Sequence, residues 1–421
     1  MPPVRLGLRE NRSQIVLLLL IVVFIGAVVG VERSVLPLLA ESEFGLTSAT
    51  VAVSFLIAFG FAKAGANFVA GELAGRIGHK RILLVAWAFG IPVPILLMWA
   101  PSWGWIVFAN LLLGINQGLA WSTTQIMKID LAGPRQRGLA MGLNECVGYL
   151  GVAAAALGAG YLAAAYGPRP APYLIALIAA VLGLLVTLIG ARDTRHHVEL
   201  EKSIVATSQA KRAPELPSGQ IARIWHGSWS YRPLFATNQA GLLNNLKEGV
   251  AWGLLPIFFA KQGLDLKQIA WLAALYPAVW GIVQLGTGTL SDRVGRRPLI
   301  VGGLLVQALA LAGFASLNGF IPWAVSAVVL GVGTAAVYPT LIAQVGDLVA
   351  PKTRASAIGL YRLWRDLGYV VGALFAGLLT DLLSFRATIL IIALLLVGSS
   401  LIALVLLPAP RSSWRSARAE V

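Results

Sequence analysis

The sequence predicts an all-α membrane protein with twelve transmembrane helices arranged as two pseudo-symmetric six-helix bundles, and three observations carry that prediction. Of 421 residues, 57% are hydrophobic and 12% charged, which is more apolar surface than one water-soluble core can bury. Apolar runs of about 20 residues, enough to cross a roughly 30 Å hydrocarbon layer, recur along the whole chain. The second half also repeats the first at a fixed offset of 217 residues. Runs of this length must be helical, because lipid offers no partner to an unpaired backbone amide and membrane strands are shorter and alternate in polarity.

The spans are expected near 14–40, 49–71, 82–100, 104–126, 138–166, 171–191, 233–260, 267–289, 298–317, 321–347, 353–383 and 386–407. The first run has basic residues ahead of it but no small-residue cleavage site before more apolar helices follow, so it reads as a retained helix and not a signal peptide. The single cysteine, Cys146, excludes a disulfide framework and a cysteine-based metal site, and no cofactor or metal is expected. Of the 33 Lys and Arg residues, 24 fall in the termini and the loops on one side, 4 (Arg169, Lys261, Lys267 and Arg386) on the other, and 5 inside spans. By the positive-inside rule, both termini should face the cytoplasm across the cell's inner membrane. The same bias accounts for the net charge of +15, and without a soluble basic domain it removes nucleic acid as a partner in favour of the lipid bilayer.

The repeat superposes Gly71, Arg76 and Gly78 on Gly288, Arg293 and Gly295, Gly114 on Gly331, and Asp130, Pro134, Arg137, Ala140, Gly142 and Leu143 on Asp347, Pro351, Arg354, Ala357, Gly359 and Leu360. Two halves of the same orientation imply a pseudo-two-fold axis along the membrane normal and a solute site near mid-membrane between them. The expected division is a first half at 1–191, a cytoplasmic linker at 192–232, a second half at 233–410 and a tail at 411–421. Trp225, Trp229 and Tyr231 read as an interfacial anchor before the seventh span.

On these residues the chain resembles the major facilitator superfamily over nearly all of its length. Gly288, Asp292, Arg293, Gly295, Arg296, Arg297 and Pro298 follow that superfamily's loop motif, whereas the first-half copy has Gly75 where the Asp belongs. The resemblance implies that these loops latch a cytoplasmic gate, with Asp130, Arg137, Asp347 and Arg354 completing the charge network. A two-state latch needs breakable contacts of this kind. Two further family patterns are missing: the helix-four Arg of proton-coupled drug exporters would fall at Gly114, and the helix-five Gly-Pro signature of antiporters is absent from 148–160.

Charges inside spans are costly, so they nominate the functional site. Glu32, Arg33, Lys63, Glu145, Lys247, Glu248, Arg362, Arg365 and Asp366 all fall on spans that the resemblance assigns to the central cavity. Glu32, Glu145, Glu248 and Asp366 are the candidate proton carriers. Arg33, Lys63, Asn144, Asn244, Asn245, Lys247, Trp252, Gln284, Arg362 and Arg365 are the candidate solute contacts, with the run from Asn244 to Glu248 the densest. Neighbours in sequence point about 100° apart on a helix, so each member of Glu32–Arg33 should meet a partner elsewhere, while Arg362 and Asp366, four apart, share a face and can pair. Pro37 and Pro256 should kink their helices. These readings point to a monomeric secondary transporter of a small solute, driven by protons, with an efflux permease for an organic anion as one form. A uniporter without proton coupling and a non-transporting receptor of the same fold stay open, and no catalytic constellation supports an enzyme.

Overall fold

The computed structural model describes residues 6–133, 136–197, 200, 228–349 and 354–408. The side chains of residues 71, 72, 74–76 and 354–356 lie outside that description, so Gly71, Arg76 and Arg354 are placed by backbone alone. Pro134, Trp225, Pro351 and the tail also lie outside the described residues. The regular structure is helical throughout, with no strand among the described residues. The first half contains α1 (Arg12–Ser42), α2 (Ala49–Ala52), α3 (Ser54–Ile77), α4 (His79–Gly90), α5 (Pro92–Trp99), α6 (Trp103–Ala132), α7 (Arg137–Tyr166) and α8 (Ala171–Gly190). The second contains α9 (Arg232–Leu246), a π-helical turn (Gly249–Leu254), α10 (Leu255–Lys261), α11 (Leu266–Val294), α12 (Arg296–Ser316), α13 (Phe320–Leu348), α14 (Arg354–Leu382) and α15 (Phe385–Leu406).

Nine spans among the described residues are long and apolar enough to cross a membrane: α1, α4 with α5, α7, α8, α11, α12, α13, α14 and α15. The expected spans near 49–71, 104–126 and 233–260 fall on α2 with α3, on α6, and on the α9–α10 segment. These three are diluted by polar residues such as Lys63 and Asn67, Asn116 and Gln117, and Asn244 and Lys247, several of which turn out to face the space between the halves. Pro256 behaves as expected for a residue without an amide hydrogen: it sits in the first turn of α10, directly after the π turn. Pro37 lies inside α1, which continues as helix on both sides of it. Gly78 and Gly295, equivalent in the repeat, both take φ of 92, ending α3 and α11 so that α4 and α12 can start at once.

Small residues let the helices approach. A Cβ on Gly30 would sit 2.3 Å from the Val152 carbonyl oxygen of α7, and one on Gly372 would sit 2.0 Å from that of Leu246 on α9. Across the halves, α7 packs on α11 and α3 on α14. Gly114 explains the missing helix-four Arg, because even a methyl group there would meet the Phe59 carbonyl oxygen at 2.4 Å.

The end opposite the basic loops is closed by contacts between the halves. The Asp381 carboxylate on α14 accepts from the Ala49 amide (2.6 Å), the Thr50 amide (3.0 Å), and the Ser48 and Thr50 hydroxyls (2.7 Å each), and so caps α2 of the other half. Lys261 and Glu41 add an exposed pair at 3.0 Å.

Two outcomes follow. Gly372→Val should lower the thermal midpoint by several degrees, since overpacking costs about 1–3 kcal/mol, whereas Gly398→Val, with nothing within 4 Å, should not. Asp381→Ala should speed labelling of a cysteine placed at buried Val53 by an impermeant maleimide, with Cys146 first replaced by Ser; an unchanged rate would place the closure in other contacts.

Candidate functional site

Between the halves lies a central cavity of ≈ 560 Å³, solvent-connected space included. Its basic lining is Lys63 on α3 with Arg362 and Arg365 on α14, and its aromatic lining includes Phe59, Trp121, Tyr149, Trp252, Tyr338 and Tyr369. The rings hold the cations. Lys63 Nζ lies 5.3 Å from the Phe59 ring centre and 5.0 Å from that of Tyr369. Beside the cavity, the Arg33 guanidinium sits 4.2 Å over Trp252 and 5.1 Å over Phe59. Arg33 is 1% exposed, and none of its guanidinium nitrogens has a hydrogen-bond partner. Trp252 in turn stacks on Tyr369 at 5.6 Å.

Ion pairing divides the buried charges into two groups. Asp366 is paired with its neighbour Arg365 (Nη2 to Oδ1, 2.7 Å) and accepts from Asn67 (2.5 Å), while Arg365 Nη1 donates to the Tyr338 hydroxyl at 2.9 Å. The expected Arg362–Asp366 pair is not formed. Arg362 Nη2 reaches across to Gln125 Oε1 of the first half instead, at 3.1 Å, because Arg365 already occupies the carboxylate. Lys247 and Glu248 likewise form their ion pair with each other, at 2.6 Å, where α9 gives way to the π turn. The Tyr276 hydroxyl donates to Glu248 at 2.5 Å and accepts from Lys247 at 3.1 Å, and both charged side chains are fully buried.

Glu145 and Glu32 belong to the second group, with no ion pair among the described residues. One Glu145 oxygen accepts from Trp121 (2.8 Å), Asn144 (2.9 Å) and Gln125; the other has no partner. Gln125 thereby links Arg362 to Glu145 across the halves. Glu32 is 1% exposed, and neither of its oxygens is hydrogen-bonded; Asn110 is beside it but out of hydrogen-bond geometry. Its direction differs from that of Arg33, as adjacent positions on an unbroken helix require.

The cavity thus gathers Lys63, Asn245, Trp252, Arg362 and Arg365. It does not gather Asn244, Lys247 and Glu248, which are buried inside the second half, where Asn244 accepts from Gln307 at 3.0 Å. Glu145 and Gln284 border a second cavity nearer the basic loops, and Asn144 is buried behind Glu145. Sequence reading passed over Asn67 and Tyr369. Each lies four residues beyond a charged residue of the cavity, Lys63 and Arg365, and helical spacing from those charges finds both. Lys128 was also missed: it is fully buried, and its Nζ donates to the Leu18 carbonyl at 3.1 Å. It stood just past an expected span end, but α6 runs on to Ala132.

The loop-motif residues pair within halves. Arg296 bridges Asp292 (2.6 Å) and Asp347 (3.1 Å), and the Arg297 guanidinium donates to the Leu404 carbonyl. Arg293 and Arg137 are exposed. At the equivalent first-half position, His79 lies 3.9 Å from Asp130 and 3.8 Å from Asp193. Asp193, after α8, therefore supplies the acid that Gly75 lacks. Among the described residues no motif ion pair crosses between the halves.

Comparison with known proteins agrees with this architecture. The family model for the Major Facilitator Superfamily matches residues 18–237 and 239–420. The multidrug resistance protein MdtG of Enterobacter lignolyticus is 24% identical over 384 residues, 88% of this chain and 86% of that protein. MdtH of Aeromonas hydrophila is 33% identical over 155 residues, a match spanning 35% of this chain and 39% of that relative. Among solved structures, a POT family transporter in complex with 5-aminolevulinic acid has a TM-score of 0.74 at 14% identity, covering 93% of this chain and 95% of that one. A bacterial homolog of the human lysosomal transporter Spinster has a TM-score of 0.71 at 15% identity, covering 93% and 96%. Two helical halves around a basic, aromatic cavity, matched by the family model over nearly the whole length, make this multi-pass membrane protein a transporter of the Major Facilitator Superfamily.

Proposed function

We propose that the protein couples movement of an organic anion to movement of a proton, by rocking residues 1–191 against 233–410 around the central cavity. In this reading the chain crosses the inner membrane twelve times as a monomer, with both termini cytoplasmic. The observation that carries the proposal is the surplus of positive charge at the cavity. Three basic side chains line it, and only Arg365 has an ion pair among the described residues. An unpaired buried cation carries a desolvation penalty of several kcal/mol, which a bound carboxylate or phosphate relieves. The aromatic rings suit an organic body attached to that group.

Proton coupling is assigned to the acids without ion pairs. Glu248 and Asp366 are held by Lys247 and Arg365, so their ionised forms are already compensated. Glu145 has only neutral donors, and it touches Arg362 through a single amide. An ionised Glu145 repels an arriving anion, so protonation of Glu145 and anion binding favour each other, the linkage that symport requires. The aromatic lining and the likeness to multidrug resistance proteins favour a second reading, proton-driven export of lipophilic cations. In that case a cation would bind the ionised Glu145 and leave on its protonation, and the pH gradient would act in the opposite sense.

Arg362→Gln should weaken uptake of an organic anion into proteoliposomes by roughly ten- to a hundredfold, the worth of one charged hydrogen bond; unchanged flux would remove the anion assignment. Glu145→Gln should abolish stimulation by a pH gradient while keeping counterflow. Glu32→Gln tests the other acid in the same assay; stimulation intact in both variants would remove these acids as the proton carriers, and no stimulation of the unsubstituted protein would leave a uniporter. Absence of counterflow in the unsubstituted protein would leave a receptor.

A further inference from the structure

The second cavity plays no part in the reading so far. At ≈ 1130 Å³, solvent-connected space included, it is about twice the size of the central cavity at ≈ 560 Å³ on the same measure. Along its middle the walls are apolar, with Leu139 and Met141 on α7, Leu285 on α11, and Pro339 and Ile342 on α13, and its mouth at the basic loops is bordered by Ser291, Asp292 and Arg296. The trough is roomy: a Cβ on Gly142 would meet nothing nearer than Leu285 Cδ2 at 3.8 Å. Its inner end is polar. Gln125 and Tyr338 border both this trough and the central cavity, and each is hydrogen-bonded to a guanidinium, Gln125 to Arg362 at 3.1 Å and Tyr338 to Arg365 at 2.9 Å.

An apolar trough whose inner end carries two polar groups, each bonded to a guanidinium of the adjoining cavity, has the shape and polarity of one kind of solute. We infer that the substrate is an amphipathic organic anion with a single apolar chain, its carboxylate or phosphate at the Gln125–Tyr338 junction and its chain along the trough. This rests on the anion reading above. Glu145 also borders the trough, and it is compatible with the headgroup in the protonated form which that reading requires. The basic residues then fix the charge of the head, and the trough sets the length of chain accepted.

The test is thermal stabilisation of the purified full-length protein by alkyl phosphates from butyl to octyl, below their micellar concentrations, beside alkylammonium ions of equal length. Affinity should rise about three- to fourfold per added methylene, the worth of burying one such group. Gly142→Phe, which fills the trough, should bring octyl phosphate down to the affinity of butyl phosphate, a loss of roughly a hundredfold, and leave butyl phosphate binding unchanged. Leu139→Asn, at a position 55% exposed, gives the same reading with little risk to folding. Binding of every chain length with equal affinity would overturn the inference and leave the anion reading standing. Binding of no alkyl phosphate at all would overturn both. Equal binding of octylammonium would replace the anion by a cation, and stabilisation by a diacyl phosphatidate without octyl phosphate would make the trough a lipid site.

Discussion

A charge buried away from water must find a partner, and where it finds none the fold has left room for one from outside. That constraint sorts this molecule. Lys247 with Glu248, and Arg365 with Asp366, are closed pairs that tie the second half together, each buttressed by a tyrosine hydroxyl. Arg33, Lys63 and Arg362 have no ion pair among the described residues, and all three lie in or beside the space between the halves. Aromatic faces do part of the work of a counter-ion for Arg33 and Lys63, which lets the protein keep an unneutralised cation in place while a solute is absent.

The same division bears on motion. Contacts across the halves at the end away from the basic loops are numerous but cheap: four hydrogen bonds to one exposed carboxylate, Asp381, and one exposed ion pair. Each can be exchanged for water at little cost, as a gate that opens in every cycle requires. At the other end, Arg296 and His79 hold acids of their own half. The polar closure at the end away from the basic loops is therefore replaceable by water, while α7 on α11 and α3 on α14 keep the halves packed together.

Much of this was legible in the sequence, for physical reasons. Lipid imposes length and helicity on each span, so the helical class followed from apolar runs alone, and the offset of 217 residues exposed the repeat through paired positions such as Gly78 and Gly295. Confinement of charges to cavity helices also pointed to Lys63, Arg362 and Arg365. What failed were inferences drawn from helix geometry alone. Lys247 meets Glu248, and Arg365 meets Asp366, because long side chains at adjacent positions bend toward each other, and Arg362 thereby loses Asp366 to a nearer competitor. Asp193, which substitutes for the acid missing at Gly75, lies over a hundred positions away in sequence, so no local motif could reveal it. Of the aromatic cage Trp252 was singled out, whereas Phe59 and Tyr369 were not, because an aromatic residue in an apolar span looks like ordinary core.

The most direct test of the account is proton uptake on binding. Purified protein in weak buffer is mixed with octyl phosphate, and the pH change is recorded beside the amount bound. If an anion at the cavity and an ionised Glu145 exclude each other, close to one proton is taken up per anion bound, and Glu145→Gln binds the anion with no uptake. Binding without proton uptake in the unsubstituted protein would contradict the linkage on which the mechanism rests.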